Sequence, residues 1–155
     1  MTILTLIISA SIVVIDQVIK YFVLMYLPDA GTVNAIPYIL DLKYVENRGV
    51  AFGMFDGFRW IFVAITGFII VFLLYIILAK KNTSKLFLIS SALIIGGGIG
   101  NLIDRIIYGF VVDYLQLTFF SPVCNFADYC ITIGAVLLAI YFFFFSESSK
   151  GNKKK

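Results

Sequence analysis

Residues 60–79 read WIFVAITGFIIVFLLYIILA, twenty consecutive residues without a charge. Wound as a helix at about 1.5 Å per residue, such a run is about 30 Å long, the thickness of a bilayer's hydrocarbon core. The pattern recurs on either side. Leu86–Ile103 is an uncharged run of eighteen residues, 127–145 is interrupted only by Asp128, and 3–27 carries only Asp16 and Lys20. The chain is therefore expected to be a mainly α integral membrane protein with four transmembrane helices, over 3–27, 60–79, 86–103 and 127–145. Composition agrees, since 61% hydrophobic and 14% charged residues leave too little polar surface for a soluble domain. No Pro- or Ser-rich linker divides residues 1–155, which read as a single membrane-embedded domain. The first helix lacks a basic leader and a small-residue cleavage site, so it is expected to stay in the mature protein.

Lysines gather at Lys80, Lys81 and Lys85, between the second and third spans, and at Lys150, Lys153, Lys154 and Lys155 in a basic tail, 146–155. An excess of basic residues marks the cytoplasmic side. Both termini are then cytoplasmic, and the outer segment 28–59 and the stretch around Asp113 and Asp128 lie at the extracytoplasmic face. The tail reads as a solvated segment near anionic headgroups, and nothing points to nucleic acid. In YILDLKYV (38–45), Tyr38, Leu40, Leu42 and Tyr44 alternate with Ile39, Asp41 and Lys43, which predicts a half-buried strand and hence a small extracytoplasmic β-sheet. ENRGVAFG (46–53) reads as a turn on Gly49 and Gly53, and FGMFDGFRW (52–60) as an interfacial aromatic segment whose part around Phe52 to Phe58 is a candidate lid.

A charge at bilayer depth costs about 2.5–3.5 kcal/mol, so intramembrane acids and bases call for a partner or a job. Asp16 and Lys20 stand at i and i+4, where they can neutralise each other. Asn101, Asp104 and Arg105 stand at i, i+3 and i+4 and share one helix face. The Asp16–Lys20 pair reads equally well as polar glue in a small bundle, and Asp104 and Arg105 read more readily so. In GGGIG (96–100), Gly96 and Gly100 have the small-xxx-small spacing of close helix packing, while Asn101 follows where a phosphate loop needs Lys and then Ser or Thr. Cys124 and Cys130 read as small buried hydrophobes, since two thiols without histidine cannot complete a structural zinc site.

GFVVDYLQLTFFSPVCNFADYC (109–130) contains two carboxylates, Asp113 and Asp128, and no other charge. If the fold brings them face to face, both cannot easily ionise, and the pair shares a proton. Such a pair can hydrolyse an amide: the ionised acid draws a proton from water while the protonated acid hydrogen-bonds the carbonyl oxygen. Asp128, near a helix start that favours an anion, is given the base role and Asp113 the acid role. The absence of histidine removes Ser-His-Asp, Cys-His and zinc-helix chemistries. A Ser-Lys dyad fails as well, because Ser9 lies about 16 Å along the helix from Lys20 and Ser11 lies on the opposite face. Two alternatives remain on these residues: a small ion- or proton-coupled transporter using the same acids, and a structural membrane subunit. A transporter is expected to show internal repeats or broken helices, and neither is visible.

In order, DQVIK (16–20), ENRGVAFG (46–53), GGGIGNLIDRIIYGFVVDYLQL (96–117) and NFAD (125–128) closely resemble the signature boxes of the bacterial lipoprotein signal peptidases, or signal peptidase II. The resemblance implies a four-span aspartyl endopeptidase of the bacterial cytoplasmic membrane. It implies removal of the signal peptide from a prolipoprotein, just before a diacylglyceryl-modified cysteine. It makes Asp113 and Asp128 the catalytic pair and places Asp16, Lys20, Asn47, Gly49, Asn101, Asp104, Arg105 and Asn125 around them. It also makes the outer sheet a cradle beside the site. The partners implied are diacylglyceryl-modified prolipoproteins and membrane lipids; no metal or diffusible cofactor is expected, and a monomer is. Tyr114 stands where a Phe is common in the family, and Cys124 where another bulky apolar residue is usual.

Overall fold

A computed structural model of the chain describes residues 1–49, 59–79 and 84–145. Gly53, the candidate lid, Lys80, Lys81 and the basic tail lie outside the described residues. The elements run α1 (Thr2–Ala30), β1 (Thr32–Ile36), β2 (Leu40–Asn47), α2 (Arg59–Ala79), α3 (Lys85–Ile107), β3 (Val111–Leu117), β4 (Val123–Cys124) and α4 (Phe126–Ile140). A π-helical stretch, Tyr141–Phe145, continues α4. Four helices among the described residues are long and apolar enough to cross a membrane. α1 ends where Gly31 takes a φ of 68°, a left-handed conformation that suits glycine at a helix terminus.

α3 is the axis of the bundle: 61% of its apolar window is buried, against 11–22% for the other three helices. α2 buries only Ile70, Leu73 and Ile77, a single stripe at i, i+3 and i+7, and packs it against Phe87, Leu88 and Ile95 of α3. The glycines of α3 set how closely the other helices approach. A Cβ on Gly96 would lie 2.7 Å from the Ile12 Cβ of α1, and one on Gly97 would lie 2.5 Å from the Ala127 carbonyl oxygen of α4. Bare backbone at these positions lets α1 and α4 dock on two faces of α3, as the small-residue spacing predicted. α3 also runs past the apolar stretch to Ile107, so Asp104 and Arg105 belong to its last turns.

The four strands form one antiparallel sheet in the order β1-β2-β3-β4. The predicted strand at 38–44 is shifted: β2 begins at Leu40, and Tyr38 lies in the β1–β2 turn with a φ of 64°. An irregularity between Leu42 and Val45 also breaks the simple alternation. β3 is the strand that matters for the site. Val111, Val112, Asp113 and Tyr114 are all buried, because the helices and the sheet cover both of its faces. Its register pairs Val45 with Asp113 and Asn47 with Val111, so Asn47 is the diagonal neighbour of Asp113.

Candidate active site

The end of α3, the start of β3 and the start of α4 converge beside the C-terminal half of α1. Asp16, Lys20, Asp104 and Asp113 are buried there, each 1% exposed or less. Lys20 reaches Asp16 at 2.9 Å and Asp104 at 2.8 Å, and donates to the Asn101 amide oxygen at 2.8 Å. These three partners match the three N–H bonds of its ammonium. The two carboxylates are held further by backbone. The Ala127 N–H donates to Asp16 Oδ1 at 3.1 Å, and the Val112 N–H to Asp104 Oδ2 at 3.1 Å. Gln17 adds a third tie, its amide nitrogen donating to Asp104 Oδ1 at 3.0 Å and to the Gly100 carbonyl at 3.2 Å. Charges that would be costly alone are thereby paired and hydrogen-bonded.

Asp113 and Asp128 meet through Asn125. The Asn125 side-chain amide donates to Asp113 Oδ1 at 2.6 Å and to Asn101 Oδ1 at 3.1 Å, while its backbone N–H donates to Asp128 Oδ2 at 3.1 Å. The Asn125 side-chain oxygen Oδ1 accepts the Asp128 N–H at 2.9 Å, which closes a reciprocal capping box at the head of α4. Each aspartate receives one further amide: Asn47 Nδ2 to Asp113 Oδ2 at 2.9 Å, and Asn101 Nδ2 to Asp128 Oδ1 at 2.8 Å. The Gly49 N–H in turn holds the Asn47 oxygen at 3.1 Å, which aims the Asn47 nitrogen at Asp113.

The head of α4 is completed by groups from other elements. Its first three N–H groups, which have no partner within a helix, go to the Tyr114 hydroxyl at 3.3 Å, to Asp16 Oδ1 and to Asn125 Oδ1. Asp128 sits in this first turn, half-buried, where the helix dipole favours a negative charge. Asp113 is more enclosed. Burial, and after it the charge of Asp128, pushes the Asp113 carboxyl up to about 7, against the pull of the Asn47 and Asn125 amides. A carboxyl that keeps its proton toward neutrality thus stands beside a second carboxyl that accepts the Asn101 and Asn125 N–H groups.

Most residues singled out in the sequence converge here: Asp16, Lys20, Asn47, Gly49, Asn101, Asp104, Asp113, Asn125 and Asp128. Arg105 is set apart. Its guanidinium lies over the Phe62 ring of α2, 5.6 Å from the centroid, while its charge faces Asp128, Asp113 and Asp104. Sequence reasoning gave no role to Gln17 or to the Tyr114 hydroxyl, whose partners lie on other elements. Cys124 and Cys130 are free, and burial pushes the Cys124 thiol up, away from a reactive thiolate. Among the described residues, no three of His, Cys, Asp and Glu are grouped so that they could hold a metal ion. Asp113 stands on a strand and Asp128 at a helix start rather than at mid-span, where a transport site is expected.

Comparison with known proteins identifies the family. The family model described as signal peptidase (SPase) II matches residues 8–144. A lipoprotein signal peptidase of Halothermothrix orenii is 43% identical over 130 residues, 84% of this chain and 88% of that protein. One of Caldanaerobacter subterraneus is 39% identical over 141 residues, 91% of this chain and 97% of that protein. A solved structure of a bacterial membrane enzyme superposes with a TM-score of 0.84 at 28% identity, covering 97% of this chain and 92% of its own. The match runs from the first helix to the last and takes in every part of the buried network, so the chain, a multi-pass bacterial membrane protein, belongs to the signal peptidase II family.

Proposed function

We propose that this protein is the aspartyl endopeptidase that removes signal peptides from diacylglyceryl-modified prolipoproteins, and that Asp113 and Asp128 carry the reaction. The observation that carries this reading is the double hold of Asn125 on both carboxylates, 2.6 Å to Asp113 and 3.1 Å to Asp128. It brings together two acids that share no helix and no strand.

The chemistry follows from their surroundings. Asp128, ionised at the head of α4, takes a proton from water as the oxygen attacks the scissile carbonyl carbon. Asp113, protonated, donates a hydrogen bond to the carbonyl oxygen as negative charge develops on it. Collapse of the tetrahedral intermediate breaks the C–N bond, and the proton held by Asp128 passes to the leaving nitrogen. Lys20, Asn101 and Asn47 act as positioning residues, and Asp16 and Asp104 lock the α1–α3 contact behind them. Arg105, beside α2 with its charge toward the aspartates, is assigned a contact with the substrate backbone.

The lysine distribution supports cytoplasmic termini and a site that faces the opposite side of the membrane: Lys85 stands at the end of α3 remote from Asp104. The sheet then lies on the extracytoplasmic side, and a monomer contains every residue the mechanism uses. The test is cleavage of a diacylglyceryl-modified prolipoprotein by purified, detergent-solubilised protein with chelator present. Wild type is expected to cut before the lipidated cysteine, and Asp113→Asn and Asp128→Asn to fold and fail by about a thousandfold or more. A folded variant that keeps full activity overturns the assignment.

A further inference from the structure

The sheet ends in two turns laid side by side, β1–β2 around Tyr38 and β3–β4 around Phe119. They are laced together: Thr118 Oγ1 donates to the Tyr38 carbonyl at 2.6 Å, and the Thr118 N–H to the Ile39 carbonyl at 3.1 Å. Residues 36–39 and 118–121 carry no charge. Yet this tip exposes a cluster of large apolar side chains, with Tyr38 92%, Phe119 78%, Phe120 52%, Ile39 51% and Ile36 47% accessible. Tyr38 holds a φ of 64°, which is costly for a bulky side chain, and Thr118 grips its carbonyl in that conformation. Charged residues of β2, Asp41, Lys43 and Glu46, begin only beyond the tip.

The position of the sheet says what covers this surface. β1 starts at Thr32, immediately after α1 ends at Ala30. The sheet then folds back along the helix. Val33 and Leu42 share an open apolar groove of about 480 Å³ with Ile19, Phe22, Val23 and Tyr26, all on the outer half of a membrane-spanning helix. A sheet that lies level with those turns has its uncharged tip beside the bilayer, and apolar aromatic side chains partition to the boundary between headgroups and acyl chains.

We infer that the Tyr38–Phe119–Phe120 tip inserts into the bilayer at that boundary and forms a second membrane anchor, separate from the four helices, with lipid acyl chains filling the groove behind it. β2 spans about 23 Å from Leu40 at the tip to Asn47 at the acid pair, at about 3.3 Å per residue. The anchor therefore holds the far end of the strand that carries Asn47 against the membrane surface. This depth assignment does not depend on the catalytic reading.

The test places a single tryptophan at the tip, Phe119→Trp in a Trp60→Phe background, in vesicles of phosphatidylcholine brominated along the upper acyl chain. Lys43→Trp in the same background serves as the reference, since Lys43 follows Leu42 and points to the opposite face. The expected result is blue-shifted emission from Phe119→Trp, quenched by the brominated lipid about twofold more than from Lys43→Trp. Equal quenching of both by aqueous acrylamide, with no effect of bromine, would put the tip in water and overturn the proposal. Tyr38→Trp reads the same depth if Phe119→Trp fails to fold.

Discussion

Lys20 decides which way the Asn101 amide points. An ammonium can only donate, so Asn101 must turn its oxygen toward Lys20, at 2.8 Å, and its nitrogen is left to donate to Asp128, also at 2.8 Å. A residue in the middle of α1 thus sets the hydrogen bond received by an acid at the head of α4.

Lys20→Met keeps the apolar stem but removes all three donors, leaving Asp16 and Asp104 buried without their counter-charge. We expect a loss of about 3–5 kcal/mol in stability and a fall of about a hundredfold in kcat/KM as Asn101 loses its fixed orientation. Lys20→Arg should not rescue either, because a planar guanidinium cannot direct three bonds from one nitrogen. Denaturation in detergent and turnover of a lipidated substrate report the two effects. Wild-type values for Lys20→Met would contradict this account of the site.

The pH dependence has a definite sign. The folded-state value for Asp113, about 7, lies above its ordinary 3.8, so the folded protein binds the extra proton in that interval. Its contribution to stability is full below the ordinary value and is lost as pH rises through about 7. The pair loses its shared proton in the same range, so kcat/KM is expected to fall as pH rises through about 7. A pH series of turnover and of denaturation midpoints checks both, with Asp113→Asn expected to remove this part of the stability change. A kcat/KM that stays level well above neutrality would refute the shared-proton assignment.

Gly100→Ala should be disabling where Gly67→Ala is harmless. A Cβ at Gly100 would fall 2.5 Å from Asp16 Oδ2, whereas one at Gly67 meets nothing within 4 Å. The first change forces α1 away from α3 at the Asp16–Lys20 pair, an overpacking cost of about 1–3 kcal/mol, and it disturbs the Asp16 bond to Ala127. Parallel expression, melting and turnover of the two variants make the comparison. Equal behaviour would show that the helices do not meet this closely.

Arg59 joins the first turn of α2 to the last turn of α3. Its Nη2 donates to the Ile106 carbonyl at 2.8 Å, and its Nη1 lies 3.3 Å from where a Cβ on Gly109 would be. Arg59→Ala removes a cation and a donor from a helix C-terminus, and about 1–2 kcal/mol of stability should go with them. Because Gly109 begins the turn into β3, amide hydrogen exchange at Val111 and Val112 should quicken. Unchanged exchange would mean that Arg59 does not brace that turn.

The sequence was most legible where partners are near each other in the chain. The Asp16–Lys20 pair follows from i, i+4 spacing, and the structure closes it at 2.9 Å. The second partner of Lys20, Asp104, lies on α3, and helical spacing carries no information between helices. β3 escaped recognition as a strand because Val111 to Tyr114 are buried on both faces, which erases the alternation that marked β2. Tyr38 was read into β2 because its side chain fits the pattern. Its left-handed φ is held in a turn laced to Thr118, eighty residues away. The apolar run of the third span ends at Ile103, but α3 continues to Ile107, as the shared helix face of Asn101, Asp104 and Arg105 implied, because both charged residues have partners.

The Asp16–Lys20 bridge also bears on how the molecule is built. α1 leaves the ribosome before α3 exists, so while it enters the lipid neither Asp104 nor Asn101 is there to receive the lysine. A pair one turn apart on the same helix travels as a self-neutralising unit, which lowers the toll of carrying an acid and a base across the bilayer. When α3 and α4 arrive, the pair stays closed and takes on Asp104, Asn101 and the Ala127 N–H without first having to be charged or discharged. The first helix thus brings a ready-made socket into the membrane, and the later helices complete it.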